Sequence, residues 1–127
     1  DCTKLWINVA KNPLVNVIGH SGLVNFKYDY EKVIPIFGEN GKLIEINNSS
    51  FTVRKGCEPN CKKIAILCKK YGVPIVINSD SHFCKQIGRF DKAISLLEEI
   101  DFPENLVVNS NIETFKAYLE KYTNYYK

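Results

Sequence analysis

The chain has 127 residues, enough for one domain around one hydrophobic core. Its 45% apolar and 24% charged content are ordinary for a globular protein, and a net charge of +3 on scattered lysines gives no footing for nucleic acid or an anionic membrane. No apolar run approaches the roughly 20 residues of a membrane span, and residues 1–12, DCTKLWINVAKN, carry no signal-peptide pattern.

In chain order, the first apolar segment is VNVI, 15–18, a short strand that runs into Gly19-His20-Ser21-Gly22. Asp29 is placed to cap a helix over 30–38, with Tyr30, Val33, Ile34 and Phe37 within one face. Pro35 interrupts its donors, and Asn40-Gly41 ends it. LIEIN, 43–47, reads as a strand, followed by the polar loop NNSSFTVRKG. Pro59 suits a first helical position, and a helix over 59–71 puts Cys61, Ile64, Ala65 and Cys68 together before Gly72. PIVIN, 74–78, is the third strand. RFDKAISLLEEI, 89–100, is a helix with the stripe Phe90, Ala93, Ile94, Leu97 and Ile100. LVVN, 106–109, reads as a fourth strand. Ser110-x-x-Glu113 is a capping box for a last helix with Ile112, Phe115, Leu119 and Tyr122 inward, and the tail from 122 is expected to fray.

The order is βαβαβαβα, with strands spaced about one βαβ unit of roughly 30 residues apart, which predicts parallel strands. Gly19-His20-Ser21, Asn48-Ser49-Ser50, Ser79-Asp80-Ser81-His82 and Ser110-Asn111 each follow a strand. The polar groups thus gather at the carboxyl ends, where parallel α/β folds build their sites. Imidazole and carboxylate are good ligands for divalent first-row metals, and alternate residues leaving a strand point to one side, so Asp80 and His82 can reach one cavity. The residues also allow a plainer role: a backbone-bonded loop histidine at 20, a helix cap at 80 and a polar loop residue at 82. The five cysteines, 2, 57, 61, 68 and 84, are odd in number and irregular in spacing. They read as small hydrophobes of a reducing cytoplasm rather than a disulfide framework, and no CxxC pair supports a zinc knuckle. A chain without Met that begins with Asp is expected to be processed or cut from a longer one.

"LIEINNSSF", "NSDSH" followed by "IGRFDKAISLLEEIDFPENLVVN", and a His after the preceding strand together resemble the PHP family, named for polymerase and histidinol phosphatase. The resemblance is greatest to small stand-alone bacterial PHP phosphatases and hydrolases, over about residues 12–121. It implies an α/β fold: parallel β/α repeats forming part of a distorted seven-stranded, TIM-like barrel. It also implies a multinuclear centre of zinc, manganese or iron that cleaves phosphoesters. His20 matches the His of the family's His-Pro-Gly segment, with Ser21 in place of the proline, and Asp80 and His82 match its late Asp-x-His, so these three are implied metal ligands. Asn48 is an implied rim contact behind the ligands or to substrate, and Arg54 and Lys55 could hold a phosphate, or be a solvated charge pair.

The family's early His-x-His and several further His and Glu ligands have no counterpart here. Residues 1–127 therefore read as the C-terminal portion of one such domain, about four β/α units. As a fragment it would be inactive alone and would need the missing N-terminal half of the barrel or a second chain, its parent acting on a phosphorylated small molecule in the cytoplasm. The alternative is a non-catalytic PHP-like module that binds a partner or serves structurally. The two apolar faces foreseen for the strands, from Leu43 to Val108, predict an uncovered inner face and self-association.

Overall fold

The computed structural model describes residues 1–124; for the last three positions of the tail, the expected fraying lies outside the described residues. A helix absent from the sequence reading comes first. α1 (Thr3–Lys11) sets Thr3, Trp6, Ile7 and Ala10 at helical spacing, and Trp6, Ile7 and Ala10 pack in the main core. Thr3 Oγ1 accepts from the Asp29 N–H at 2.9 Å, tying α1 to the start of α2 (Tyr30–Glu39). Asp29 caps α2 as expected, its carboxylate accepting from the Lys32 N–H at 3.2 Å. Pro35 inside α2 costs about 3 kcal/mol. Val33, Ile34 and Phe37 are fully buried, and each such side chain contributes about 1.5–3 kcal/mol, so packing wins and the helix continues.

β1 (Val17–Ile18), β2 (Leu43–Asn47) and β3 (Ile75–Asn78) form a parallel sheet in that order. Val17 is opposite Leu43, and Asn47 is opposite Asn78. α3 (Glu58–Tyr71) runs between β2 and β3, and Gly72 ends it in the left-handed conformation at φ 65°. α4 (Asp91–Glu99) follows β3. The molecule is an α/β fold with a three-stranded parallel sheet among the described residues. No described helix is long and apolar enough to cross a membrane.

The strand expected over 106–109 is not formed. Two 3₁₀ turns, Glu104–Leu106 and Val108–Ser110, flank a single parallel bridge between Ile75 and Val107. The reason is the Asn109 side chain. Its Oδ1 accepts from the Ile77 N–H at 3.0 Å, and its Nδ2 donates to the Ile77 carbonyl at 2.7 Å. A side-chain amide thus makes the pair of bonds that a neighbouring backbone would have made.

Ile18, Ile44, Ile46 and Ile75 face the main core beneath α1 to α4. Leu43 and Val76 alternate to the opposite face and pack with Val108 and Tyr118, flanked by Phe115 and Leu119. α5 (Ile112–Tyr122) therefore covers that second face. This corrects the expectation of a wholly apolar, uncovered inner face: its lower part lies beneath α5, and its upper part carries Glu45, Asn47 and Asn78. Of the residues expected inward on α5, Phe115 and Leu119 pack against this cluster, while Ile112 and Tyr122 are exposed and Tyr118 is buried instead; Tyr118 Oη lies 3.0 and 2.8 Å from the Asn16 and Gly41 carbonyls. The cap of α5 is Asn111, whose Oδ1 accepts from the Thr114 N–H at 2.9 Å, rather than Ser110. In α4, Leu96 is buried and Ile94 is exposed.

Candidate functional site

The carboxyl ends of the three strands share one rim. After β1, His20 adopts a left-handed φ of 27°, uncommon for a residue with a side chain. The turn around it is pinned from below. The Ser21 hydroxyl accepts from Tyr28 Oη at 3.1 Å, and the Gly22 carbonyl accepts from Asn60 Nδ2 at 2.9 Å. A Cβ on buried Gly22 would come within 3.0 Å of the Cys61 sulfur, so only glycine fits without displacement. The His20 imidazole is left exposed.

After β2 a 3₁₀ turn (Asn48–Phe51) is capped by Asn47, whose Oδ1 accepts from the Ser50 N–H at 3.1 Å. Asn48 is buried, and its Oδ1 accepts from the Ala93 N–H at 3.0 Å. It thereby caps the first turn of α4 from outside that helix, where Phe90 offers no side-chain cap. Ser49 Oγ donates to the Ser79 carbonyl at 2.9 Å and reaches the Asp80 carbonyl at 3.4 Å, joining this turn to the exit of β3.

After β3, Asp80 also has a left-handed φ, 51°. Arg54 Nη2 donates to its Oδ2 at 2.9 Å, while Nη1 donates to Asn47 Oδ1 at 3.2 Å and to Ser50 Oγ at 3.1 Å. The guanidinium beside Asp80, and then the Asn47 amide, hold its carboxyl below the ordinary aspartate range. His82 Nδ1 lies 2.9 Å from the Asp80 carbonyl oxygen. A carbonyl can only accept, so Nδ1 is the donor in this contact and Nε2 is left for another partner, the arrangement of a metal-binding imidazole. Lys55 is exposed on the same loop as Arg54.

The rim thus carries His20, Arg54, Asp80 and His82 at one end of the sheet, and it couples Arg54 directly to Asp80, two residues to which the sequence assigns separate roles. The donors suit a divalent metal in kind. They are not gathered as a centre: among the described residues no three His, Cys, Asp or Glu side chains form one metal-holding group. Of the three buried cysteines, 57, 61 and 68, Cys61 lies against Gly22 in the turn that carries His20. Burial pushes the Cys61 and Cys68 thiols up to about 11 and about 12, so they stay protonated near neutral pH. A groove of about 840 Å³ lies at the far edge of β3 between α4 and residues 101–110. It includes none of the rim donors, and the chemistry of the rim outweighs its size.

Sequence reasoning missed Glu45. It sits inside β2, where a run of apolar neighbours suggests burial on both faces. The available signal was the alternation Leu43, Glu45, Asn47, which puts an acid and an amide on one face.

No family model matches the chain. Several curated proteins do. The chain is similar to proteins named as probable phosphatases. One from Acetivibrio thermocellus is 51% identical over 119 residues, covering 94% of this chain and 49% of its own length. One from Clostridium botulinum is 48% identical over 118 residues, 93% of this chain and 49% of its own. One from Caldanaerobacter subterraneus is 48% identical over 120 residues, 94% of this chain and 47% of its own. The chain spans about half the length of these curated relatives.

Proposed function

We propose that this chain is the C-terminal portion of a PHP-type, metal-dependent phosphoesterase. Its β/α units would form part of a distorted seven-stranded barrel, with the rest of the barrel supplied by a preceding half or a second chain, in a cytoplasmic protein acting on a phosphorylated small molecule. One observation carries the reading: His20 on the exit of β1 and Asp80 and His82 on the exit of β3 lie at the same end of a parallel sheet, in a chain whose half-matched relatives are named probable phosphatases.

In that reading His20, Asp80 and the Nε2 of His82 are ligands for zinc, manganese or iron, and further donors come from outside this chain. The metal, when bound, lowers the pKa of a water and neutralises phosphoryl charge. The chain's own residues orient the donors. Arg54, held by Asn47 and Ser50, keeps Asp80 ionised and could offer a remaining guanidinium N–H and its positive charge to a phosphate. Lys55 adds positive charge near that guanidinium, and Asn48, whose Oδ1 fixes the α4 terminus, would stand behind the ligands or touch substrate.

The test is hydrolysis of p-nitrophenyl phosphate by the full reading frame that contains this segment, with Zn²⁺ or Mn²⁺ supplied. We expect metal-dependent turnover that Asp80→Ala lowers at least about 100-fold, the scale of a lost ligand's support, with the fold retained. Unchanged turnover in that variant overturns the role of Asp80. A second reading, a non-catalytic partner-binding module, draws on the finding that among the described residues no three donors form one group; no turnover and no bound metal in the full-length protein would turn the choice toward it.

A further inference from the structure

Glu45 joins all three strand exits through one carboxylate. Its Oε2 accepts from the His20 backbone N–H at 2.7 Å and from Asn47 Nδ2 at 3.3 Å, and its Oε1 accepts from Asn78 Nδ2 at 2.8 Å. Hydrogen bonds to a charged acceptor are short and strong. The one to His20 falls on a residue whose left-handed backbone needs an outside restraint to persist. Every partner here is a neutral N–H group, and each belongs to a different strand or its exit.

We infer that Glu45 is a positioning residue: it clamps the His20 backbone at 2.7 Å, and through Asn78 it sets the distance between the exits of β1 and β3. The consequence for metal binding rests on the reading of His20 and Asp80 as ligands; the clamp itself does not. The imidazole of His20 is exposed, so its direction depends on its backbone rather than on neighbours around the ring. Removing the carboxylate frees the peptide at 20 and loosens Asn78 two residues before Asp80, while the core beneath α1 to α4 loses no contact.

Backbone-amide NMR of the 127-residue chain without metal tests the clamp, and a Zn²⁺ titration of the same samples tests its consequence. In the unsubstituted chain the His20 amide proton is expected downfield and slow to exchange. Glu45→Ala should abolish both features while the amides of Ile64 and Tyr118 keep theirs, and should weaken Zn²⁺ binding about 10- to 100-fold, the usual effect of losing a group that orients a ligand. Glu45→Gln is the conservative variant. Its carbonyl can still accept from His20 while Asn78 turns its own oxygen toward the new NH₂ group, so both the amide signal and Zn²⁺ affinity should stay close to the original. A His20 amide that exchanges like a free loop amide in the unsubstituted chain overturns the inference, whatever the variants do. So does an unchanged His20 signal in folded Glu45→Ala. Zn²⁺ binding that this variant leaves intact, or no Zn²⁺ binding by any form, overturns the consequence for metal binding, and the amide signals still decide whether Glu45 is the clamp.

Discussion

Arg54 and Asp80 form the rim's one charged pair, with side chains about a quarter exposed. Asp80 titrates below its ordinary value in the folded chain because Arg54 faces it. Between the folded and unfolded pKa values the unfolded chain therefore binds more protons. The stability this contributes is complete above the unfolded value and is lost as pH falls through the folded one. Arg54→Gln removes the leading cause. We expect the Asp80 pKa, followed by its carboxyl carbon in NMR, to rise toward the usual aspartate value, and acid unfolding to begin at higher pH. An unmoved Asp80 titration would show that the Asn47 amide suffices. The residue types at positions 20, 80 and 82 were legible in the sequence because strand exits in parallel sheets concentrate chemistry. The pairing of Arg54 with Asp80 was not legible, since 26 residues separate them and only the fold brings them together.

Among the elements, β2, β3 and α3 were readable to within a residue, since short runs rich in isoleucine, leucine and valine and the Pro59 and Gly72 boundaries are local signals. The segment 106–109 was not. LVVN has the composition of a strand, and nothing local says that Asn109 will turn its amide onto Ile77. Asn109→Ala should lose both bonds, destabilise the fold by about 1–3 kcal/mol, and expose the Ile77 amide to rapid hydrogen exchange. Asn109→Asp should not rescue it, because a carboxylate would face the Ile77 carbonyl. Retained protection of Ile77 in both variants would mean that the Ile75–Val107 bridge holds that edge alone. α5 was misread for a related reason: Tyr118 buries its ring while its hydroxyl reaches two carbonyls. An inward stripe drawn from aliphatic residues alone passes over such a side chain.

On the scale of the whole molecule, α5 and the polar trio Glu45, Asn47 and Asn78 leave less sticky surface than a bare half-barrel would. β1 remains the outer strand on its side of the described sheet, and Val17 on it is 41% exposed. An unprotected edge of this kind invites pairing. We expect sedimentation of the 127-residue chain to show concentration-dependent association, and Val17→Lys to reduce it. A monomer at high concentration without that substitution would show that a two-residue edge is too short to recruit a partner.

The Asn109 amide also limits how such association can proceed. By occupying Ile77 it closes one margin of the sheet and leaves β1 as the available one. A body with two complementary open margins can add copies head to tail without end, which is how filaments grow. A body with one open margin can pair that margin with its own copy about a two-fold axis, and then nothing is left to extend. If the chain associates through β1 as expected, a single side chain at the far edge would stop that association at two.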